Sequence, residues 1–423
     1  MTLAATPPMG WNSWDCFGTT VTEAEVLANA RFLAERMLPS GWDTVVVDID
    51  WYDPDARAGG YNEDPRVVLD GYGLALPAPN RFPSAAGGDG FGPLAEQVHA
   101  LGLRFGVHVM RGIPRAAVHR DLPVAGTAFT AGQIGVRDDV CVWNPDNYGL
   151  DHGHPGAQAY YDAQVAQFAR WGVDFVKADD MLGPYHADDI AAYATAIRRS
   201  GRDIVLSLSP GRSMSLTRLD HVREHANAWR ISDDLWDRWS DVRDQFGRLA
   251  RWAPTQRPGS WADADMLPVG RIGIRAERGT DRVSGLTRDE QRTMLSLWCL
   301  ARSPLMVGCD LPTSPPETIA LLTDDAVLDV LRSGTDGREV LREGDLVLWT
   351  ARHRAAGDRW VGVFWTGDGP GSVRVETGSV DVAPDATGTD LWSGEAVTAT
   401  RGVLDLDVPA HGVRLIRFGA ATG

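Results

Sequence analysis

The chain has almost no lysine. Among its 423 residues there is one, Lys177, against 40 arginines once it is subtracted from the 41 Lys and Arg counted together. An arginine-rich composition needs no function, but the exception does: a site that needs a compact ammonium on a flexible stem cannot accept the wide guanidinium fork. Cysteine is scarce too. Cys16, Cys141, Cys299 and Cys309 are scattered, with no CxxC pair and no tight Cys/His spacing, so neither a disulfide framework nor a structural zinc site is indicated. Thiols in a reducing compartment are expected. No apolar run approaches the roughly 20 residues that span a bilayer. Basic charge is in deficit: the formal net charge of −16 argues against nucleic acid or an anionic membrane as partner and suits an uncharged substrate. The start, MTLAATPPMGWNSWDCFG, shows no basic n-region and no apolar h-region. A cytoplasmic location is expected, with secretion open if a leader has been trimmed, and homo-oligomerisation is left open.

What is present is an ordinary globule with 43% hydrophobic and 23% charged residues, long enough for two or three domains. Sixteen tryptophans exceed what packing alone asks for, and indole faces serve sugars as well as cores. Short apolar runs alternate with helical periodicity over the first three quarters: TVVVDIDW (44–51) is β-branched, LRFGVHVM (103–110), DFVKAD (174–179), DIVLSLS (203–209), AWRISDD (228–234) and SPLMVG (303–308) resemble it, and MGWNSW near the start and ADADM (262–266) are counted with them. About eight βα units predict a closed (β/α)8 barrel over residues 1–325. A doubly wound open sheet would carry a Gly-rich phosphate turn after its first strand, and none is present. After about residue 330 the pattern shifts to period two between Gly, Asp and Pro turns, which predicts an antiparallel β-sandwich over 326–423.

Side chains two apart share a strand face. Alternation therefore pairs Lys177 with Asp179 and leaves Asp180 on the other side; it also pairs Asp48 with Asp50, Arg230 and Ser232 with Asp234, and Asp263 with Asp265. Each acid closes a presumed strand, where barrel enzymes assemble their sites; a single one would read as a helix cap, but four strands ending this way read as a site. Two carboxylates across a pocket are the minimum equipment for glycoside hydrolysis. Lys177 would keep Asp179 ionised as nucleophile, and crowding by Asp233 would keep Asp234 protonated as acid. Arg230 would grip the hydroxyl next to the reacting carbon.

These segments, together with DLWSG and VPAHGVRLIRF near the end, resemble in order and over nearly the whole chain glycoside hydrolase family 27 of clan D, the α-galactosidases and α-N-acetylgalactosaminidases. The resemblance implies a (β/α)8 barrel followed by an antiparallel sandwich, a retaining double displacement through a covalent glycosyl-aspartate, no metal and no cofactor. It implies Asp179 as nucleophile and Asp234 as acid/base, with Trp14, Asp48, Lys177, Arg230 and Asp265 lining the sugar pocket. Departures bear on the glycone. Ile49 stands where a second acid usually follows Asp48, with Asp50 after it, which suits a sugar lacking the hydroxymethyl arm, such as β-L-arabinopyranose. Ser209 replaces a Glu, giving room near O2 as in the N-acetylgalactosaminidases; His108 replaces a Tyr and Ala178 an aromatic residue. Met181 stands where a cysteine often follows the nucleophile, so the family's disulfide there is lost. An α-D-galactoside-like substrate is expected, with β-L-arabinopyranoside, α-N-acetylgalactosaminide or α-glucan as alternatives.

Two further segments have double readings. MRGIPRAAVHR (110–120) reads as a lid or a pocket loop, and WNPDNYGLDHGHPG (143–156) carries two His but matches no ligand motif. Trp236 and Trp239 read as a subsite wall or as core. Rival functions are a Schiff-base aldolase using Lys177, disfavoured because an adjacent carboxylate keeps the amine protonated, and a non-catalytic carbohydrate-binding barrel, which would not keep both Asp179 and Asp234.

Overall fold

The computed structural model describes residues 2–62 and 64–420. Eight parallel strands make the first sheet: β1 (Met9–Asn12), β2 (Thr44–Val47), β3 (Arg104–Met110), β4 (Phe175–Asp179), β5 (Val205–Leu208), β6 (Ala228–Arg230), β7 (Trp261–Asp263) and β8 (Leu305–Val307). Neighbours in space follow chain order from β1 to β7, and β8 returns to pair with β1. The two edges meet through a parallel bridge between Leu267 and Val307, with the Leu267 N–H donating to the Met306 carbonyl at 2.8 Å. The barrel predicted from alternating runs is present.

Each strand is followed by a helix: α1 (Glu23–Arg36), α2 (Gly92–Ala100), α3 (Pro155–Trp171), α4 (Ala187–Ser200), α5 (Leu219–His225), α6 (Trp239–Trp252), α7 (Arg288–Ala301) and α8 (Asp325–Ser333). Their ends follow local chemistry. α1 and α7 open with capping boxes, Thr22 with Glu25 and Thr287 with Glu290, which satisfy orphan N–H groups; α3 and α4 stop at Gly172 and Gly201 in the left-handed region. Strands β1 and β2 approach so closely that a Cβ at residue 10 would overlap the Thr44 carbonyl oxygen, hence Gly10. Among the described residues no helix is long and apolar enough to cross a membrane.

The C-terminal part begins at Gly334 and is wholly antiparallel. One sheet contains β9 (Gly334–Glu343), β10 (Leu346–His353), β11 (Arg359–Trp365), β13 (Thr387–Asp390), β14 (Ala396–Thr398) and β16 (Val413–Phe418); the other pairs β12 (Gly371–Glu376) with β15 (Val403–Val408). The strict buried/exposed alternation of β12 is the period-two pattern of its sequence. Leu348, Val361, Val373, Leu404 and Ile416 fill the space between the sheets.

The barrel core does not stop at Gly334. Trp349, Trp360, Phe364 and Leu415 of the large sheet belong to the same buried cluster as the barrel. Trp392 Nε1 donates to Ser296 Oγ on α7 at 2.9 Å, and Thr293 Oγ1 donates to the His411 carbonyl at 2.7 Å. Helix α7 is thus covered on both sides.

Candidate active site

The acids that close the strands gather at the C-terminal mouth of the barrel, at increasing depth. Asp48, first residue past β2, lies deepest, its side chain 2% exposed; Asp179, last residue of β4, is 13% exposed; Asp234, four residues past β6, is 47% exposed at the rim. The lone lysine joins the deep pair: Lys177 Nζ donates to Asp48 Oδ2 at 3.0 Å. Asn12 Nδ2 donates to the same oxygen at 2.7 Å, and the Ile49 N–H to Asp48 Oδ1 at 2.9 Å. His108 stands between the two carboxylates, its Nε2 3.4 Å from Asp179 Oδ2 and 3.9 Å from Asp48 Oδ1. Ser209 Oγ and the Asp180 N–H both donate to Asp179 Oδ1, at 3.2 and 2.8 Å.

These contacts decide the charge states. Burial alone would raise the Asp48 carboxyl, but His108, Lys177, the Ile49 N–H and Asn12 together hold it well below the usual carboxylate range. Asp179 is likewise pulled down against burial, by His108, Lys177 and the Asp180 N–H. Burial works against the Lys177 ammonium, yet Asp48 and Asp179 raise its pKa above the ordinary value. The amine is protonated, which removes it as a Schiff-base nucleophile and leaves it a donor.

A second group of charges carries Asp234. Arg230 Nη2 donates to Asp234 Oδ1 at 3.2 Å while its Nη1 lies 2.7 Å from Asp265 Oδ1. Asp265 Oδ2 accepts the N–H of Leu235, the next residue after Asp234, at 2.6 Å. One guanidinium and one carboxylate therefore fix both the side chain and the backbone turn of Asp234. Burial raises the Asp265 carboxyl and Arg230 opposes it, with Asp234 and Asp263 raising it further.

Alternation along the strand correctly pairs Lys177 with Asp179 and sends Asp180 away from the pocket. Elsewhere the strands end too soon for it. β2 stops at Val47, and Asp50 takes a left-handed φ of +61°; it does not share a face with Asp48 but turns into a buried cluster where Tyr52 Oη donates to Asp50 at 3.3 Å and to Asp146 at 2.5 Å. Burial and then Asp146 raise the Asp50 carboxyl, and burial raises that of Asp146 to about 6. β6 ends at Arg230 and β7 at Asp263, so Asp234 and Asp265 (φ +89°) reach the pocket by turns. Asp233 does not crowd Asp234: it is exposed and faces Arg212 at 3.4 Å. The acids whose carboxyls Asp234 raises by its charge are Asp265, Glu277 and Asp15.

Other expectations resolve by contact. Trp14 is buried and stacks on Tyr61, with ring centroids 5.6 Å apart and an interplanar angle of 26°. Trp236 is buried, and Trp239 stacks at 4.2 Å on His411 of the C-terminal part. His152 lies 3.0 Å from Asp189, and His154 accepts the Gly156 N–H as the cap of α3. Among the described residues no cluster of three or more His, Cys, Asp or Glu is arranged to hold a metal. Three residues escaped the sequence reading. Asn12 sits inside MGWNSW, where only Trp14 was singled out. Asp15, next to Trp14, is fully buried, and its carboxyl is raised by burial and then by Asp265. Tyr61 comes from the long loop after β2; its ring stacks on Trp14, and burial and then the charges of Asp179, Asp48 and Asp234 raise its phenol.

Comparison with known proteins agrees with this geometry. Residues 141–332 match the family described as Alpha galactosidase A (Melibiase_2). Alpha-galactosidase 2 of Arabidopsis thaliana is 26% identical over 423 residues, covering 98% of this chain and 89% of that protein. The crystal structure of a GH27 β-L-arabinopyranosidase from Geobacillus stearothermophilus is 45% identical with a TM-score of 0.96, covering 99% of this chain and 98% of that one. A Bacillus halodurans structure carrying the provisional name α-N-acetylgalactosaminidase is 38% identical with a TM-score of 0.88, covering 99% of each chain. With the barrel, the antiparallel sheets and the carboxylate-lined mouth in place, that similarity over the full length assigns the chain: it belongs to glycoside hydrolase family 27 and is a glycosidase.

Proposed function

We propose that this glycosidase is a retaining enzyme that removes β-L-arabinopyranose, the pentose sharing the ring configuration of α-D-galactose, with α-D-galactosides as slower substrates. The observation that carries the glycone is Ile49. It stands fully buried directly after Asp48, so position 49 supplies no second carboxylate beside Asp48. A hydroxymethyl group there would lose its hydrogen bonds to water against an aliphatic side chain, at a cost of about 1 to 3 kcal/mol. The 45% identical neighbour named as a β-L-arabinopyranosidase supports the same reading.

In this reading Asp179 attacks the anomeric carbon as the bond to the leaving oxygen breaks, and Asp234 gives that oxygen its proton. Water then attacks the glycosyl-aspartate, Asp234 takes the water's proton, and Asp179 leaves as carboxylate. Asp179 suits the first role because Lys177, His108 and the Asp180 N–H favour its ionised form. Asp234 suits the second because it lies at the half-exposed rim, where a leaving group departs. Lys177, Arg230, Asp48 and Asp265 bind and orient the sugar.

The test is a side-by-side assay of p-nitrophenyl β-L-arabinopyranoside, α-D-galactoside, α-N-acetylgalactosaminide and α-glucoside. The arabinopyranoside is expected to show the highest kcat/KM, above the galactoside by about 10- to 100-fold; a galactoside cleaved equally well removes the glycone assignment. Asp179→Ala is expected to lose activity by on the order of a thousandfold or more, with azide restoring turnover to an inverted glycosyl azide. Near-wild-type turnover by that variant removes the nucleophile assignment.

A further inference from the structure

The turn that follows Asp179 is held in place from the adjoining strand. Asp180 is not glycine, yet its φ is +59°, and in that left-handed conformation its N–H points at Asp179 Oδ1. Its side chain turns away from the pocket onto Arg111, whose Nε and Nη2 lie 3.0 and 2.9 Å from Asp180 Oδ2. Arg111 is the first residue past β3, and its own N–H donates to the Asp179 carbonyl at 3.1 Å. The outer edge of the guanidinium takes Asp139 through two bonds of 2.7 Å each. Asp139 belongs to the short strand Gly135–Val140, part of a small antiparallel sheet beside the barrel mouth. One buried cation thus ties three segments together around the backbone of Asp179.

We infer that Arg111 is a positioning residue for the nucleophile: by gripping the Asp180 carboxylate it keeps the Asp180 N–H on Asp179 Oδ1, and Asp139 steadies the grip from outside. Glycine takes a positive φ freely, whereas Asp at that angle needs its surroundings to hold it. The planar fork meets one oxygen of Asp180 with Nε and Nη2 and both oxygens of Asp139 with Nη1 and Nη2, an arrangement that a point charge could not make. Burying a guanidinium between carboxylates costs desolvation that an apolar contact would avoid. What it returns is a fixed donor on Asp179 Oδ1. Burial raises the Asp180 carboxyl to about 6 against the pull of Arg111, so the grip is tightest when that acid is ionised.

The inference rests on Asp179 being the nucleophile, which azide rescue of Asp179→Ala tests separately. The groups that face Asp179 are Lys177 on its own strand, His108 from β3, Ser209 past β5 and Tyr61 from the loop after β2, with Asp48 reached through His108 and the neutral Cys141 thiol behind. Substituting Arg111 leaves these groups in place and changes one more, the neighbouring Asp180 carboxyl, which repels Asp179 by charge and whose ionised form Arg111 favours. Loss of a donor to the ionised form raises the Asp179 pKa. For Arg111→Met the acid limb of kcat/KM is therefore expected to move up by about one pH unit, and kcat at neutral pH to fall about tenfold with KM within about twofold. A variant that lowers Tm and leaves the acid limb in place overturns the inference, because a purely structural ion pair would do that. The pair Asp180→Gly and Asp180→Ala gives a second route should Arg111→Met not fold. Both remove the same charge, but only glycine accepts the positive φ. The glycine variant is expected to keep its acid limb at or below the wild-type position and the alanine variant to shift upward; identical behaviour of the two overturns the inference.

Discussion

Tyr61 shows what a single residue contributes beyond the motifs. It sits on a loop without regular structure, where no periodicity or spacing marks it, yet it stacks on Trp14 and its phenol is raised by burial and by the charges of Asp179, Asp48 and Asp234. Tyr61→Ala is expected to raise the inhibition constant of the free monosaccharide product about tenfold, since that ligand occupies only the glycone pocket. Tyr61→Phe, which keeps the stack, is expected to lose less. An unchanged constant in the alanine variant would place the ring outside the sugar site. Ile49→Asp is the complementary change. It is expected to raise the α-galactoside rate relative to the arabinopyranoside by about 10-fold or more, read from the ratio of kcat/KM values. The lone lysine was the clue most legible at this scale: parity along DFVKADD put Lys177 with Asp179, and both face the pocket. Tyr61 and Asn12 had no such signal.

At the scale of elements, strand identity was legible and strand length was not. Short runs alternating with helical patterns located all eight barrel strands, but β2, β6 and β7 end two to four residues before their acid clusters do. Asp50, Asp180 and Asp265 all adopt positive φ, so the chain leaves the sheet by tight turns that hydropathy does not report. Asp50 shows the consequence: the turn hands it to Asp146 and Tyr52 instead of the pocket. That pair has a pH signature. A carboxyl whose folded pKa lies above its unfolded value favours the native state at low pH, and the contribution is lost as pH rises through the folded value. With Asp146 raised from the ordinary carboxylate range to about 6, this contribution fades between roughly pH 4 and 6. Asp146→Asn keeps an acceptor for Tyr52 and cannot ionise. It is expected to flatten the fall in Tm between pH 4 and 7 and to equal or exceed wild type at pH 8; a parallel pair of Tm curves would show that titration of Asp146 plays no part.

At the scale of the molecule, the change of texture near residue 330 correctly announced a different architecture. It did not announce that the two parts share one core, because burial across an interface leaves no periodic mark. Trp349, Trp360 and Phe364 lie on β10 and β11 yet pack with the barrel, Phe246 of α6 meets Phe364 edge-on at 5.1 Å, and His411 joins Trp239 to Glu290 at 2.7 Å. A large apolar interface of this kind does not permit independent domains. Calorimetry is expected to give one unfolding transition, and a chain ending at Ser333 to aggregate on expression because α7 loses its outer cover. Two resolved transitions, or a soluble truncated barrel, would contradict this.

Scarcity of lysine also makes the protein its own reporter. Apart from the terminal α-amine that any chain carries, the only primary amine is Lys177, pinned between carboxylates inside the pocket and held protonated. Acylating reagents, which need a free and neutral amine, should find almost nothing to label on the native surface, less still when a sugar fills the well. Once the barrel opens, a single ε-amine becomes reactive, so one covalent tag per molecule would count, chain by chain, how often that mouth comes apart.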